Sequence, residues 1–273
     1  MYSCLSTNPK CGIILQGKVI AMKYPTSLTL KQWKLISFLF KPGNRSVHDK
    51  LLLVNAVLYL VKTGCQWRML PSDFPPYQTV HSFFRRARLK KIWQKMLFIL
   101  VKISREHSGK KQNPTYCLID SQSAKTTSAS EERGIDGGKK VKGRKRHIVT
   151  DTLGNVLAVV VHAANIHDTI GGILALKKAY ELYPSLKGVC GDAGYRKTFV
   201  EDAAELGLSV DISEKIKPGQ WEILPFRWIV ERTFAWQNNH RRLSKDYEIT
   251  VDSEENYVMI ANAATLLRRL GKA

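Results

Sequence analysis

The sequence predicts a mixed α/β fold, in which a five-stranded sheet with helices follows a small all-α, helix-turn-helix-like region. Before about residue 110, apolar residues recur every three to four positions, as in helices. Beyond it, the patterns follow the order three strands, helix, strand, helix, strand, helix. A polar, turn-rich run at 104–115 separates the two patterns. We therefore predict a poorly organised tail at 1–21, a helical region at 22–110 and an α/β domain at 111–273.

The helical region contains three or four predicted helices. The first covers TLKQWKLISFLF, and its Thr29 is a candidate N-cap. The second, VHDKLLLVNAVLYLVK, is apolar nearly all round in its second half and is expected at the centre of the region. Thr63-Gly64 is typical of a helix C-cap. The run at 78–103 predicts one or two further helices.

Short apolar runs give the strands of the α/β domain. YCLIDSQSA is the first, and HIVTD and VLAVVVHAA form a hairpin around the turn Leu153-Gly154-Asn155. Then come the helix ILALKKAYELY, the strand LKGVCGDAGY, the helix TFVEDAAELG and the strand LSVDIS. Two helices close the chain, at 225–243 and 254–270.

The charge of the chain indicates a polyanionic partner. The net charge is +20, and residues 22–110 hold seventeen Lys or Arg against three acids. Residues 111–273 hold twenty-four against twenty, so the excess is concentrated in the helical region. A surface kept charged only for solubility does not explain this asymmetry. We therefore expect the helical region to bind double-stranded DNA.

The chain is expected in the cytoplasm, associated with the nucleoid. Its five cysteines are an odd number without the paired spacing of a zinc site, which fits reduced packing residues. The first residues lack the pattern of a signal peptide. No apolar run reaches the roughly 18 residues that a membrane helix needs, so no membrane partner is expected.

Two basic segments are predicted to contact DNA. In the first, Arg85, Arg86 and Arg88 lie on one side of a helix that has the character of a reading element, although a solvated helix face remains the alternative. The second is a loop at 131–146 with Gly137, Gly138 and Gly143 and six Lys or Arg after Gly138. We predict that it clamps the DNA backbone; a disordered basic loop is the alternative. Its predicted contacts are Lys142, Arg144 and Lys145.

Two strand-end carboxylates predict the chemistry. Asp120 follows Cys117-Leu118-Ile119, and Asp192 follows an apolar run and lies beside Gly191 and Gly194. Strand ends line the site crevice in open sheets, so both carboxylates are expected to converge although 72 residues separate them. Neighbouring carboxylates repel unless a cation neutralises them, and Mg²⁺ or Mn²⁺ prefers oxygen ligands. A divalent metal site is therefore predicted.

The third acid is less defined by spacing. Glu231 lies four residues after Arg227 in the predicted helix, which equally fits a surface ion pair between these two residues. Asp151 and Asp211 are rival acids, but Asp151 lies beside a turn and Asp211 lacks glycine neighbours. His162 and His167 are five residues apart, a spacing that does not share one helical face, so we predict structural roles for both.

These motifs together resemble the DDE transposases of bacterial insertion sequences, in the group that includes insertion sequence five. The matching stretches are LIDSQSAK, GGKKVKGRKRHIVTDTLGNVLAVVVHAANIHD, VCGDAGY and LPFRWIVERTFAWQNNHRRLSKDYE. The run LVKTGCQWRMLPSDFPPYQTVHSFFRR resembles the helical N-terminal domain of the same group. The resemblance implies an RNase H-like fold, with Asp120 on the first strand, Asp192 after the fourth and Glu231 on a late helix as the third catalytic acid and metal ligand.

The resemblance also implies an activity and partners. The implied enzyme cleaves element ends and transfers a strand to target DNA by two-metal phosphoryl transfer with Mg²⁺ or Mn²⁺. Its partners are the terminal repeats, the target DNA and a second copy of the chain, since two ends are processed. The alternatives are a structure-selective nuclease on the same fold and a non-catalytic DNA-binding descendant.

One signature around the last acid departs from the group. Related transposases often carry Tyr three residues before the Arg and Lys seven after the Glu. Here Arg227 and Glu231 match, but Leu224 and Asn238 occupy the outer positions. Arg227 is predicted to contact DNA, and the substitutes for the missing lysine are Arg232, Arg241, Arg242 and Lys245.

Overall fold

The computed structural model describes residues 13–15, 18–20, 24–41, 47–213 and 227–272. Sequence predictions for Leu224 and for the start of the helix at 225 lie outside these residues. The helices are α1 (Leu30–Lys34), α2 (Lys50–Thr63), α3 (Tyr77–Leu89), α4 (Ile92–His107), α5 (Asp168–Leu182), α6 (Thr198–Glu205), α7 (Arg227–Asn238) and α8 (Val251–Lys272). The strands are β1 (Ile13–Leu15), β2 (Lys18–Ile20), β3 (Tyr116–Lys125), β4 (Gly134–Asp136), β5 (Val141–Asp151), β6 (Val156–Ala163), β7 (Gly188–Asp192) and β8 (Ser209–Ser213).

The ends of the first helices follow the predicted caps. Thr29 accepts from the amide of Gln32, whose side chain bonds back to Thr29, so α1 starts with a capping box. Gly64 follows α2 in the left-handed conformation at φ 70°, which confirms the predicted C-cap. Helix α1 is shorter than predicted, because the chain leaves the helix after Lys34 and forms a 3₁₀ turn at Ser37–Leu39.

The long amphipathic run at 78–103 forms two helices. The break lies at Lys91, which has a left-handed φ of 53° between α3 and α4. Trp93 then turns into the core, where its ring lies 5.6 Å from that of Phe40 and 5.9 Å from that of Phe83. The aromatic cluster holds α3, α4 and the turn after α1 together.

The sheet is mixed, as predicted. Its order is β6-β5-β3-β7-β8, with the short β4 also paired to β5. β5 is antiparallel to β3, β4 and β6, whereas β7 is parallel to β3 and β8 is parallel to β7. The five predicted strands are all present, and β4 is an additional one.

The predicted basic loop at 131–146 is the main correction to the fold. β5 begins at Val141 rather than at His147, and with β4 it forms a hairpin in place of a long loop. The residues from Arg144 onward pair with both β3 and β6, so their backbone groups are satisfied inside the sheet. Helices pack on the two faces of this part of the sheet, so the side chains of β5 are buried there, including the charged ones.

Helices cover both faces of the sheet. α5 packs against β3, β5 and β6 on one face. α7 packs against β3, β5 and β7, and α8 packs against β6 on the other face. The even-numbered and odd-numbered side chains of β5 therefore meet different helices.

The N-terminal helices share a core with α8. Helices α1, α2 and α4 pack along α8, and the ring of Phe84 stacks on that of Tyr257 at 4.8 Å. The side chain of Gln32 donates to the carbonyl of Leu267 at 3.0 Å. The last helix thus packs against both regions, which the chain order alone does not reveal.

Within the described ranges, no helix is long and apolar enough to cross a membrane.

Candidate active site

Asp120 and Asp192 occupy neighbouring positions on adjacent parallel strands. The register of β3 and β7 pairs Tyr116 with Gly188 and Leu118 with Cys190. Asp120 and Asp192 each follow two residues later, so both side chains leave the sheet on the same side at the same height. Both are half-buried. The sheet therefore brings together two of the three acids that the sequence singled out.

A third carboxylate, which the sequence did not single out, lies beside them. Asp168 is the first residue of α5 and accepts from Ser121 Oγ at 3.0 Å. A Cβ placed on Gly194 would lie 2.9 Å from Asp192 Oδ1 and 3.6 Å from Asp168 Oδ2. Both carboxylates thus flank Gly194, and a larger residue there would displace one of them. We call Asp120, Asp168 and Asp192 the acid edge.

The side chain of Tyr195 is buried beside the acid edge. Burial raises the pKa of Tyr195 well above its ordinary value, and the negative charges of Asp120, Asp168 and Asp192 raise it further. The hydroxyl lies 3.1 Å from Nδ1 of His147.

Two residues of β5 support the acid edge from below. Lys145 lies 3.0 Å from Asp168 Oδ1, and its ammonium also donates to the carbonyl of Ile166 at 3.0 Å. Burial alone would raise the pKa of Asp168, but the hydrogen bond and charge of Lys145 lower it overall. Burial, with the charge of His162, lowers the pKa of His147 to about 3, so this imidazole is neutral. Lys145 is thus the cation that holds Asp168 ionised.

Glu231, the third predicted acid, is exposed on α7, while Ile229, Val230 and Phe234 hold that helix against the sheet. The described residues contain no cluster of three or more His, Cys, Asp or Glu placed to hold a metal ion. The structure places Asp120 and Asp192 on neighbouring strands, and the role of Glu231 as the third acid stays a prediction. The side chain of Arg227 lies outside the described residues.

The rival residues have structural partners. Asp151 is fully buried and pairs with Arg105 at 2.7 Å, and Asp211 accepts from the hydroxyl of Tyr116. His162 is buried, with Nδ1 2.8 Å from the carbonyl of Ala163. His167 caps α5 by accepting from the amide of Thr169. These contacts explain each residue without a metal.

The predicted DNA contacts on α3 differ in exposure. Arg85 and Arg86 are exposed. Arg88 is turned inward, where it pairs with Asp252 at 3.2 Å and bonds to Ser253 at the start of α8. Arg88 therefore joins α3 to α8 in this structure.

The predicted contacts on β5 require a correction. Lys142 is exposed, but Arg144 is fully buried and pairs with Asp246 at 3.0 Å. Lys145 is 5% exposed and lies against Asp168. Neither Arg144 nor Lys145 presents its charge to a DNA backbone here, because both lie in the paired interior part of the strand that the sequence mistook for a loop.

The substitutes for the missing signature lysine also have distinct surroundings. Arg242 is buried against Glu248, whereas Arg241 is exposed. Lys245 and Asn238 line one cleft of about 280 Å³ beside the end of β3. Arg232 stacks between the rings of two tryptophans on α7 and donates to the carbonyl of Leu153 at 3.1 Å. Lys245 is thus the candidate that shares a cleft with position 238.

Sequence reasoning missed Asp168, Lys145 as its partner, and Tyr195. A usable signal existed for Asp168, because His167-Asp168-Thr169 directly precedes an apolar helical run and follows a strand. Tyr195 ends the same GDAGY motif that contains Asp192. Lys145 had no such signal, because its role depends on β5 extending back to Val141.

The order β6-β5-β3-β7-β8, with carboxylates on the first and fourth of these strands in chain order and helices on both faces, is that of an RNase H-like domain. The chain belongs to the family described as "Transposase DDE domain", whose model matches residues 111–267, more than half of its length. Residues 28–97 match a second family, described as "Putative transposase of IS4/5 family".

Two individual proteins are similar to the chain. The first is named "Putative transposase for insertion sequence element IS402", from Burkholderia cepacia, and is 30% identical over 122 residues. That match covers 40% of this chain and 56% of the relative. The second is a chain in the crystal structure of a pre-cleavage Mos1 transpososome, at 11% identity and a TM-score of 0.31. It covers 85% of this chain and 79% of that one.

Proposed function

We propose that this protein is a transposase that binds the ends of an insertion element and catalyses metal-dependent DNA cleavage and strand transfer. Membership in the DDE transposase family supports the reaction class. The observation that carries the proposal is the placement of Asp120 beside Asp192 on β3 and β7. Two partly exposed carboxylates at one sheet edge fit the binding of a cation by oxygen ligands.

Asp120, Asp192 and Glu231 are the proposed catalytic acids and metal ligands. The donor set, carboxylate oxygens only, fits Mg²⁺ or Mn²⁺. Two such ions would supply charge stabilisation for the attacking and leaving oxygens of a phosphodiester. Glu231 is carried by α7, which packs against the strands of both aspartates.

The chain's own residues prepare the edge for this chemistry. Lys145 and Ser121 fix the Asp168 carboxylate, and the amide of Gly194 donates to Asp192 at 2.8 Å. The amide of Ser121 donates to Asp120 at 2.7 Å. These bonds hold the carboxylates in fixed orientations, which lowers the reorganisation needed when a phosphodiester binds.

Double-stranded DNA, as terminal repeats and as target, is the proposed partner. The exposed Arg85, Arg86 and Lys142 remain the proposed backbone contacts, together with Arg227 and Lys245. We propose that two copies of the chain bind DNA as a homodimer, in the cytoplasm and associated with the nucleoid. We also propose that the chain divides into a helical domain at 22–110 and a catalytic domain at 111–273. The break between α4 and β3 supports that division.

The test uses labelled DNA from the sequences that flank the gene, incubated with the protein and Mg²⁺. We expect cleavage at the element ends and strand-transfer products, both absent with Asp120→Ala. Hydrolysis without any strand transfer would identify a nuclease instead. Binding without cleavage by the wild-type protein, in Mg²⁺ and in Mn²⁺, would identify a non-catalytic descendant.

A further inference from the structure

A second surface, away from the acid edge, combines positive charge with exposed aromatic rings. Three clefts adjoin there and share lining residues. The central cleft has a volume of about 580 Å³. It shares Thr152 with a second cleft of about 320 Å³. It shares Trp236 and Arg269 with a third cleft of about 280 Å³. We call this surface the basic groove, and its lysines and arginines are Lys62, Arg105, Lys110, Lys111, Arg232, Arg268 and Arg269.

Within the part of the chain that the structure describes, Asp151 pairs with Arg105, and the other basic residues of the groove have no carboxylate partner. None of the residues that line the three clefts is acidic. Among the described residues, no carboxylate pairs with Arg232, Arg268 or Arg269. Burial, with the charge of Arg232, lowers the pKa of Arg269, and burial, with the charges of Lys62 and Arg268, lowers the pKa of His240 to about 4. Such a concentration of like charge favours an anionic ligand.

Stacked aromatic rings hold two of these arginines in place. The guanidinium of Arg232 lies 4.5 Å from the ring of Trp228 and 4.4 Å from that of Trp236. Arg269 lies 3.7 Å from the ring of Trp236. The ring of Trp236 thus contacts two cations, whereas that of Trp228 contacts one, and Trp228 is 49% exposed. An open indole face beside two fixed cations is available for one more planar group.

The basic groove lies at the other end of the sheet from the acid edge. Asp120 is paired with Ile148, while the groove reaches Thr152 and Leu153 in the turn after β5. Asp151, the last residue of β5, lies three residues from Ile148, which is about 10 Å along a strand. The groove is therefore a site separate from Asp120 and Asp192.

We propose that the basic groove binds a single strand of DNA, with phosphates on its lysines and arginines and an unpaired base on the open face of Trp228. Charge complementarity selects a polyanion, and the exposed indole selects an unpaired base, since the bases of a duplex are already stacked on one another. The inference rests on the proposed function only for the identity of the nucleic acid as DNA.

The test measures binding of a fluorescein-labelled oligothymidylate by anisotropy, in EDTA so that no cleavage occurs. We expect Trp228→Ala to weaken binding about ten-fold and Trp228→Phe to retain most of it, because a phenyl ring also stacks. Arg268→Gln with Arg269→Gln should weaken binding and reduce the slope of log K against log salt by about 1.4. Lys177→Gln, an exposed cation on α5, is the matched control and should change neither quantity.

Two outcomes of the binding experiment would contradict the proposal. Unchanged affinity and slope in folded Trp228→Ala and Arg268→Gln/Arg269→Gln proteins, judged by thermal unfolding, would overturn the proposal. A duplex of the same length that binds more tightly and loses as much affinity in Trp228→Ala would overturn the single-strand assignment. Cleavage of element-end DNA is measured separately in Mg²⁺. If the groove variants bind the oligonucleotide like the wild-type protein but cleavage is observed, the groove proposal is wrong and the transposase proposal is unaffected. If the groove variants lose binding but the wild-type protein does not cleave, the transposase proposal is wrong and the groove proposal is unaffected.

Discussion

The acid edge and the interior of the same sheet use the same residue types in opposite ways. At the edge, Asp120 and Asp192 are partly exposed and lie together without forming part of the core. On the α8 side of β5, Arg144 and Asp246 are fully buried and 3.0 Å apart. Charged residues therefore form the proposed reaction site at one place and a structural element a few residues away.

The interior group, which we call the ionic core, consists of three ion pairs. Arg144 pairs with Asp246, Arg146 with Glu254 at 2.5 Å, and Arg242 with Glu248 at 2.5 Å. It joins β5 to the segment before α8 and to α8 itself. The comparison teaches that exposure and partners, rather than residue type, decide which carboxylates are available for chemistry. The predictions below test that distinction.

The largest expected effect concerns the acid edge. Asp192→Asn should lower the rate of DNA cleavage at least about a thousand-fold, because a neutral amide binds a divalent cation poorly. The unfolding free energy should change by less than about 1 kcal/mol, since the side chain is not part of the core. Initial cleavage rates and urea unfolding provide the two measurements.

Asp211→Asn is the matched control, because Asp211 lies on the neighbouring strand β8, opposite Cys190. It should leave the cleavage rate near that of the wild-type protein. Cleavage that survives Asp192→Asn, or that falls equally in both variants, would mean that the edge does not perform the chemistry.

The ionic core should show the reverse behaviour. Arg144→Met leaves Asp246 buried without its partner, so the free energy of unfolding should fall by about 3–5 kcal/mol. Arg144→Met with Asp246→Leu should recover much of this loss, because no buried charge is left unpaired. Urea titrations of both variants test this. A loss below about 1 kcal/mol in Arg144→Met would show that the interior charges do not stabilise the fold as argued.

Glu254 in the ionic core should make the stability of the protein depend on pH. Burial raises the pKa of Glu254 to about 8, although Arg146 opposes the shift. A carboxyl group with a raised folded-state pKa binds its proton more tightly when folded, so its contribution to stability falls as pH rises from its ordinary pKa of 4.5 to about 8. Glu254→Gln cannot ionise and should lose this dependence.

The measurement is the difference in unfolding free energy between wild type and Glu254→Gln at several pH values. The variant should gain relative to wild type between pH 5 and pH 8. A difference that is constant over this range would show that Glu254 keeps one charge state throughout. Glu255→Gln, at the neighbouring position and paired with Lys178 nearer the surface, serves as the comparison variant.

The sequence predicted the parts of this molecule that local patterns determine. Periodicity located most helices and the five main strands, and Gly64 located the end of α2. Asp120 and Asp192 were found because each ends an apolar run, and parallel strands bring such ends together. Their roles as catalytic residues stay predictions until cleavage is measured.

Long-range pairing accounts for what the sequence did not predict. Six basic residues after two glycines are typical of a solvated loop, and no local pattern shows that Asp246 and Glu254 pair with two of them. The same holds for Lys145 and Asp168, and for α8 as the packing partner of α1, α2 and α4. Buried charge is invisible in sequence because its counterions come from distant segments.

The smallest expected effect comes from an ion pair at the surface. Arg88 and Asp252 lie 3.2 Å apart, close to the geometry of the ionic core, but the Asp252 side chain is 60% exposed. Water already solvates this carboxylate, so Asp252→Asn should lower the unfolding free energy by less than about 1 kcal/mol. Asp246→Asn, at a carboxylate with 0% exposure, should cost several times more in the same urea titration. Equal losses in the two variants would mean that burial does not separate structural from surface charges here, and the distinction between the ionic core and the rest of the charged residues would fail with it.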